Sequence, residues 1–156
     1  MADEDGDGQT DAHPQLSSNK YTIMYPAHPA REDDPHYKDF HHYHESTKKD
    51  PEIYQCTWAK ETGDKSQCDN GPLELHHSHI EFALQNAVDL KHLAAAYPGV
   101  DTPEEVGAWV ESAVNLVWLC AKHHRAQDGG IHHLAAADYE ASKWLNSGTI
   151  VKAPKA

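Results

Sequence analysis

Two short apolar segments, each leading into a pair of histidines, constrain the fold of this chain more than any other feature. The first covers residues 73–75 and is followed by His76 and His77; the second covers residues 115–119 and precedes His123 and His124. Apolar runs of this length predict β-strands. A short helix is expected after the second strand, ending near the glycine pair at residues 129–130. This order places His77, at the end of one strand, near His124 on the helix.

The residues between the two strands carry the sequence signals of two helices. In residues 80–97 apolar side chains recur at helical spacing from Ile80, and Pro98-Gly99 ends the segment. A second helix begins after Thr102, because proline follows it and Glu105 completes a capping box. We expect both helices to form an insert between the strands and to bury their apolar stripes.

The remaining segments predict flanking helices and loops. Helices are expected from Asp34-Pro35 to about Lys48 and from Asp138 to Asn146. Residues 21–24 are a candidate short strand, and the polar residues between Cys56 and Pro72 predict a loop. The sequence therefore predicts an α+β fold that is mostly helical and contains a short two-stranded hairpin.

Composition divides the chain into an acidic tail and one domain. Residues 1–19 contain almost nothing apolar, so they cannot bury enough surface to fold, and we expect a disordered tail. Residues 20–156 are expected to form a single small domain. The mean hydropathy of the whole chain, −0.78, is low enough that additional cross-links would help to stabilise it. Because there is neither a signal peptide nor an apolar run of ~20 residues, we expect a soluble, cytoplasmic protein.

The charge of the chain limits how it could act on nucleic acids. Its formal net charge is −12. Nonspecific affinity for DNA depends on Lys and Arg, so this charge argues against a protein that simply coats DNA. An enzyme acting on DNA with this composition would need a local basic patch, a bound metal or a carrier partner.

The three cysteines predict a metal site, because an odd number argues against a complete disulfide framework. Cys120 and His123 have the two-residue gap of a zinc knuckle, and Cys56 and Cys68 complete a set of four ligands. Such a set predicts a closed, structural zinc site. The alternative is that the cysteines are free and pack as small hydrophobic side chains.

The histidine pairs supply the groups that phosphodiester hydrolysis requires: a base for water, ligands for a cation that neutralises charge on the phosphate, and a residue that aims the base. The stretches LELHH at residues 73–77 and NLVWLCAKHH at residues 115–124 resemble the motif of HNH endonucleases. The active site of that family is a ββα-metal module. The resemblance covers about residues 53–133, with the two capped helices as an insert. The wider arrangement is similar to that of small HNH proteins of bacteriophages and their hosts.

The resemblance implies a role for each matching residue. His77 corresponds to the general base that activates water, and Asn115 to the residue that orients this base. His76 and His124 correspond to ligands of one catalytic divalent metal, for which Mg, Mn, Ni and Zn are all compatible.

The third ligand of that metal has two candidates. Asp128 lies four residues after His124 and so on the same helix face. His132 lies beyond the glycine pair, and a turn there would return it to the metal. We favour His132.

The expected function is therefore metal-dependent hydrolysis of DNA, by nicking or double-strand cleavage. The resemblance implies 5′-phosphate and 3′-hydroxyl ends, DNA as the partner, and a phage terminase or other packaging protein as a further partner. A phage-encoded protein would act in the cytoplasm of its bacterial host. The alternative, favoured by the acidity of the chain, is a non-catalytic, zinc-stabilised binding or adaptor module with the same fold.

Overall fold

The computed structural model describes residues 10–154, which form short helices and one pair of strands. In chain order the helices and strands are α1 Tyr37–Lys48, α2 Thr57–Thr62, β1 Glu74–His77, α3 Leu90–Ala96, α4 Pro103–Val110, β2 Leu116–Leu119, α5 Ala121–Arg125 and α6 Ala136–Ser142. Two 3-10 helices, Arg31–Asp33 and Phe82–Ala87, precede α1 and α3. None of the helices within these 145 residues is long and apolar enough to cross a membrane.

The two strands pair antiparallel, which confirms the predicted α+β fold with a two-stranded sheet. Glu74 lies opposite Leu119, and His77 lies opposite Leu116. Because successive side chains of a strand point to opposite faces, Glu74 and His76 share one face of β1, and His77 belongs to the other. The register therefore divides the histidine pair between two environments.

One hydrophobic cluster surrounds the end of β2. It contains buried residues of the segments before and within α2, at the end of β2 and in α6: Cys56, Trp58, Ala59, Leu119, Cys120 and Tyr139. Trp118 connects β2 to α1, because its indole Nε1 donates to the hydroxyl of Thr47 at 3.0 Å and its ring contacts Tyr54 edge-on. The sheet is thus covered by helices that come from both ends of the chain.

A second cluster belongs to the insert between the strands. Leu93 of α3 packs with Val106, Trp109 and Val110 of α4. The predicted capping box is present, since the Thr102 hydroxyl accepts from the backbone N–H of Glu105 and the glutamate side chain accepts in return. Of the apolar stripe predicted for this helix, Val106, Trp109 and Val110 are buried as expected, but Ala113 and Val114 lie beyond its end at Val110 and are exposed.

The single helix predicted over residues 80–97 was wrong. The 3-10 helix Phe82–Ala87 is followed by extended backbone at Val88 and by α3, which Asp89 caps by accepting from the N–H of His92. The aspartate stabilises a new helix start, so the chain breaks where periodicity alone predicted continuity. Ile80 and Val88 still pack against the second cluster, so the apolar spacing correctly predicted burial.

Other boundaries also differ from the sequence predictions. The predicted loop after Cys56 contains α2, whose buried Trp58 stabilises a helix too short to be recognised by periodicity, and Gly63 ends it at φ 72°. The first helix begins at Tyr37 because the Asp34 carboxylate accepts from the N–H of His36 and forms a turn. No strand forms at residues 21–24, and α6 ends at Ser142. Of the predicted tail, residues 1–9 lie outside the described residues, and residues 10–19 are exposed without helix or strand.

We predict that Thr47→Val lowers the free energy of unfolding by about 1–3 kcal/mol, because it leaves the buried Trp118 N–H without an acceptor. Urea denaturation measures this change. Ser46→Ala is the matched control, since the Ser46 hydroxyl donates to the Tyr43 carbonyl as Thr47 does but is exposed. Its effect should stay within about 0.5 kcal/mol. Equal losses in the two variants would contradict the proposed role of Thr47.

Candidate metal centres

Two groups of side chains in residues 10–154 bring potential metal ligands together. One contains Cys56, Cys68, Cys120 and His123, and the other contains His76, His124 and His132. Within each group the ligand atoms all lie within 4.8 Å of one another. Both groups could hold a metal such as zinc.

The cysteine group joins three separate segments of the chain. Cys56 immediately precedes α2, Cys68 lies in the following loop, and Cys120 is the residue from which α5 starts. His123 Nδ1 lies 3.7 Å from the Cys56 sulfur, 3.8 Å from the Cys68 sulfur and 3.1 Å from the Cys120 sulfur. A tetrahedral metal with ordinary metal–sulfur and metal–nitrogen bonds separates such ligand atoms by about 3.6 Å. The spacing therefore fits a four-coordinate site.

Burial favours the neutral forms of His123 and Cys68 in this cluster. The His123 ring stacks on Trp58 with centroids 4.0 Å apart, and burial, with the nearby Lys122, lowers its pKa to about 4. Burial also raises the pKa of the Cys68 thiol, and the neighbouring Cys56 and Cys120 raise it further. Three adjacent thiolates need a cation to stabilise them, and a metal supplies that charge.

The histidine group lies where β1 meets α5. The ring centroids of His76, His124 and His132 are 4.8–5.3 Å apart. The loop after α5 returns His132 to this point, and its N–H donates to the His124 carbonyl at 3.2 Å. Gly130 permits the return, since a Cβ there would lie 2.6 Å from the Ala126 backbone nitrogen.

The polar atoms of the histidine group fit a metal ion. Nε2 of His124 and Nε2 of His132 are 3.0 Å apart. This distance agrees with the separation of about 3.0–3.4 Å between adjacent ligand nitrogens of a metal–imidazole site. Nδ1 of His76 is buried and has no hydrogen-bond partner. Burial and the neighbouring histidines lower the pKa of His76 to about 3, and burial followed by His124 lowers that of His132. Both rings are therefore neutral at pH 7 and keep a lone pair for a metal.

The carboxylate of Glu74 contacts one histidine of this group. Nδ1 of His124 lies 3.1 Å from Oε1 of Glu74, which leaves Nε2 of the histidine free to bind a metal. The Arg125 Nε donates to both carboxylate oxygens at 3.0 and 3.1 Å. Burial raises the pKa of Glu74, but the hydrogen bonds from Arg125 and His124 outweigh it, so the net change is downward. The carboxylate is charged and fixes the orientation of the imidazole.

The two candidates for the third ligand occupy different places. His132 lies in the histidine group. Asp128 does not share a helix face with His124 as predicted, because α5 ends at Arg125 rather than near the glycine pair, and it lines a cavity together with Lys122 and Trp58. His123 and His124 also separate as expected, because adjacent helical residues point about 100° apart. Each contributes to a different group.

His77 lies on the opposite face of β1 from His76, which belongs to the histidine group. Its side chain is buried, and its ring stacks on Phe40 at a centroid distance of 6.0 Å. Nε2 of His77 lies 3.1 Å from Oε2 of Glu111, and Nδ1 lies 3.9 Å from Oε2 of Glu81. The nitrogen nearer the partly exposed Glu81 is therefore the one that water could approach.

Asn115 acts on the backbone rather than on the ring of His77. Its Oδ1 accepts from the N–H groups of His79 and Ile80, and its Nδ2 donates to the carbonyls of Ile80 and Val110. The expectation that the amide orients the base is corrected in this respect. The fully buried asparagine fixes the turn that follows β1, and it positions His77 only through that backbone.

Three carboxylates that contact the histidines were not predicted as site residues from the sequence: Glu74, Glu81 and Glu111. Glu74 could have been found, because it precedes His76 by two residues and so shares its strand face. Glu111 gave no local indication, since 34 residues separate it from His77. Only the folded insert brings them together.

Comparisons with protein-family models, curated proteins and solved structures returned no match to this chain. The chemistry of the two ligand groups therefore supplies the argument for function.

We predict that the chain binds two transition-metal ions and that Cys68→Ala and His132→Ala each lose a different one. Elemental analysis gives the stoichiometry, and Co²⁺ substitution identifies the ion, because thiolate-to-cobalt absorption arises only at the cysteine group. Asp128→Ala is the control and should keep both ions. Loss of the thiolate absorption in His132→Ala, or loss of an ion in Asp128→Ala, would contradict this partition.

We also predict that Glu74→Gln weakens metal binding at the histidine group by about 10–100-fold, because it removes the carboxylate that orients His124. Titration calorimetry on protein whose cysteine group is already loaded measures this affinity. Arg125→Met removes the other partner of Glu74 but keeps its contact with His124, so it should have a smaller effect. Equal affinities of the parent and Glu74→Gln would show that the contact is unimportant.

Proposed function

We propose that this chain is a metal-dependent DNA endonuclease of the HNH type, which hydrolyses phosphodiester bonds. The observation that carries the proposal is the convergence of His76, His124 and His132 where β1 meets α5, with His77 as the neighbour of His76 in the strand. This is the ligand-and-base set that the sequence resemblance implied.

The arrangement of the elements supports a ββα-metal module. β1 and β2 pair antiparallel, and α5 follows β2 after Cys120 and packs against both strands. The strand supplies His76 and the helix supplies His124, as the resemblance requires. The helices α3 and α4 form the insert between the two halves.

The proposed reaction assigns one task to each group of residues. A divalent metal held by the three imidazoles would supply positive charge that stabilises the phosphate and the departing oxygen. His77 takes a proton from water as the water oxygen bonds to phosphorus. The bond from phosphorus to the 3′ oxygen breaks, and this oxygen takes a proton from solvent. The products carry 5′-phosphate and 3′-hydroxyl ends.

The ligand types suggest which metals the two groups hold. Three imidazoles favour transition metals such as Mn²⁺, Ni²⁺ and Zn²⁺ over Mg²⁺, although the motif is compatible with all four. Three thiolates and one imidazole form a closed set without room for water, which is typical of structural zinc. This second metal would fasten α5 to the segment around α2.

One observation favours the second candidate function, a zinc-stabilised adaptor module that does not cut DNA. Arg125, the cation that follows His124 in α5, already pairs with Glu74. The net charge is −12. With Arg125 paired in this way, the histidine group would hold DNA chiefly through its metal.

We predict that the parent nicks or linearises supercoiled plasmid with at least one of Mg²⁺, Mn²⁺, Ni²⁺ or Zn²⁺. His77→Ala should slow cleavage by about 10²–10⁴-fold, because it removes the base. His42→Ala is the matched control, since this histidine is exposed on α1, and it should cut as fast as the parent. Gel electrophoresis gives the rates, and sealing of the nicks by DNA ligase confirms the expected ends.

Two outcomes would contradict the proposal in different ways. If His77→Ala cuts at the parental rate, the base has been assigned to the wrong residue. If the parent cuts under none of the four metals while both metal groups are loaded, the adaptor function is favoured.

A further inference from the structure

A buried carboxylate from the insert contacts the histidine proposed as the base. Oε2 of Glu111 lies 3.1 Å from Nε2 of His77, and the two side chains are 2% and 7% exposed. Glu111 directly follows α4, so its position depends on how this helix of the insert packs. The resemblance to HNH endonucleases implied no partner at this position.

A guanidinium group also lies beside the Glu111 carboxylate. The Arg31 guanidinium lies 3.8 Å from Oε1 of Glu111 and 3.9 Å above the centre of the Phe40 ring. Phe40 in turn stacks on His77. A cation on one side and an imidazole on the other compensate a carboxylate that burial would otherwise disfavour.

The contact with Glu111 determines which nitrogen of His77 can act. An ionised carboxylate only accepts hydrogen bonds, so Nε2 must carry the proton in the neutral ring. Nδ1 is then left with its lone pair. This nitrogen lies 3.9 Å from Glu81, which is 44% exposed, so this side of the ring is the one nearer to solvent.

We propose that Glu111 is a positioning residue for His77, which fixes the Nε2–H tautomer and thereby makes Nδ1 the nitrogen that accepts the proton from water. This inference rests on the proposed endonuclease function. As the water oxygen bonds to phosphorus, its proton moves to Nδ1 and the ring becomes an imidazolium. The Glu111 carboxylate stabilises that positive charge without taking the proton itself.

The test combines cleavage kinetics with a readout that does not need activity. Glu111→Gln and Glu111→Asp are compared with the parent for kcat and KM on plasmid DNA, and the ¹⁵N shifts of the His77 ring report its tautomer. Glu111→Gln should lower kcat by about 10²–10⁴-fold with little change in KM, and should lose the pure Nε2–H tautomer. Glu111→Asp keeps a carboxylate and should recover part of kcat and of the Nε2–H signature.

Val106→Ala is the matched structural control. Val106 is buried in the same helix and lies in the second cluster, outside the site, so this variant destabilises the insert without changing His77. It should lower the melting temperature but keep parental kcat and the parental tautomer. If Val106→Ala lowers kcat as much as Glu111→Gln, the effect comes from general destabilisation and the inference is wrong.

Failure of the inference can be distinguished from failure of the proposed function. If the parent cuts DNA and Glu111→Gln keeps parental kcat, or if His77 in the parent carries its proton on Nδ1, Glu111 does not position the base and the endonuclease proposal stands. If the parent cuts no DNA with any metal, the base role is overturned together with the function. The ¹⁵N spectrum then still shows whether Glu111 fixes the ring.

Discussion

The pairing register of β1 with β2 is the constraint on which the candidate site depends. His76 lies opposite Val117, and His77 lies opposite Leu116. A slip of one residue would exchange the faces of the two histidines. His77 would then enter the three-histidine group, and His76 would face Glu111. Asn115 protects this register, because all its side-chain hydrogen bonds hold the backbone on either side of the paired strands, at residues 79, 80 and 110.

The short helix α5 connects the two ligand groups, because it contributes His123 to one and His124 to the other. It spans only Ala121–Arg125, too short to be stable alone. Its first turn contributes Cys120 and His123 to one group, and the next residue, His124, contributes to the other. A metal at the cysteine group would fix the helix against the segment around α2. It would thereby also fix the direction in which His124 faces β1.

Part of each ligand group could be predicted from the sequence, because Cys120 and His123 are close in the chain and His76 lies near the end of a strand. The gap from Cys120 to His123 matches one helical turn, and the histidine pair at the end of β1 marks a strand exit. Sequence reasoning did not find Glu111, because its approach to His77 depends on how the insert packs. The break at Asp89 was missed for a related reason. Apolar periodicity indicates which residues are buried, but a capping side chain decides where a helix starts.

The charge of the histidine group offers a physical answer to how an acidic chain could hold a phosphate. Its three candidate ligands are imidazoles, which are never anionic near neutral pH, so they would add no negative charge to a bound cation. The nearest carboxylate, Glu74, is already paired with Arg125. A divalent ion at this point would keep its full positive charge towards solvent, unlike an ion held by carboxylates. In a chain of net charge −12, attraction to a phosphodiester would then be concentrated at the atom where hydrolysis is proposed.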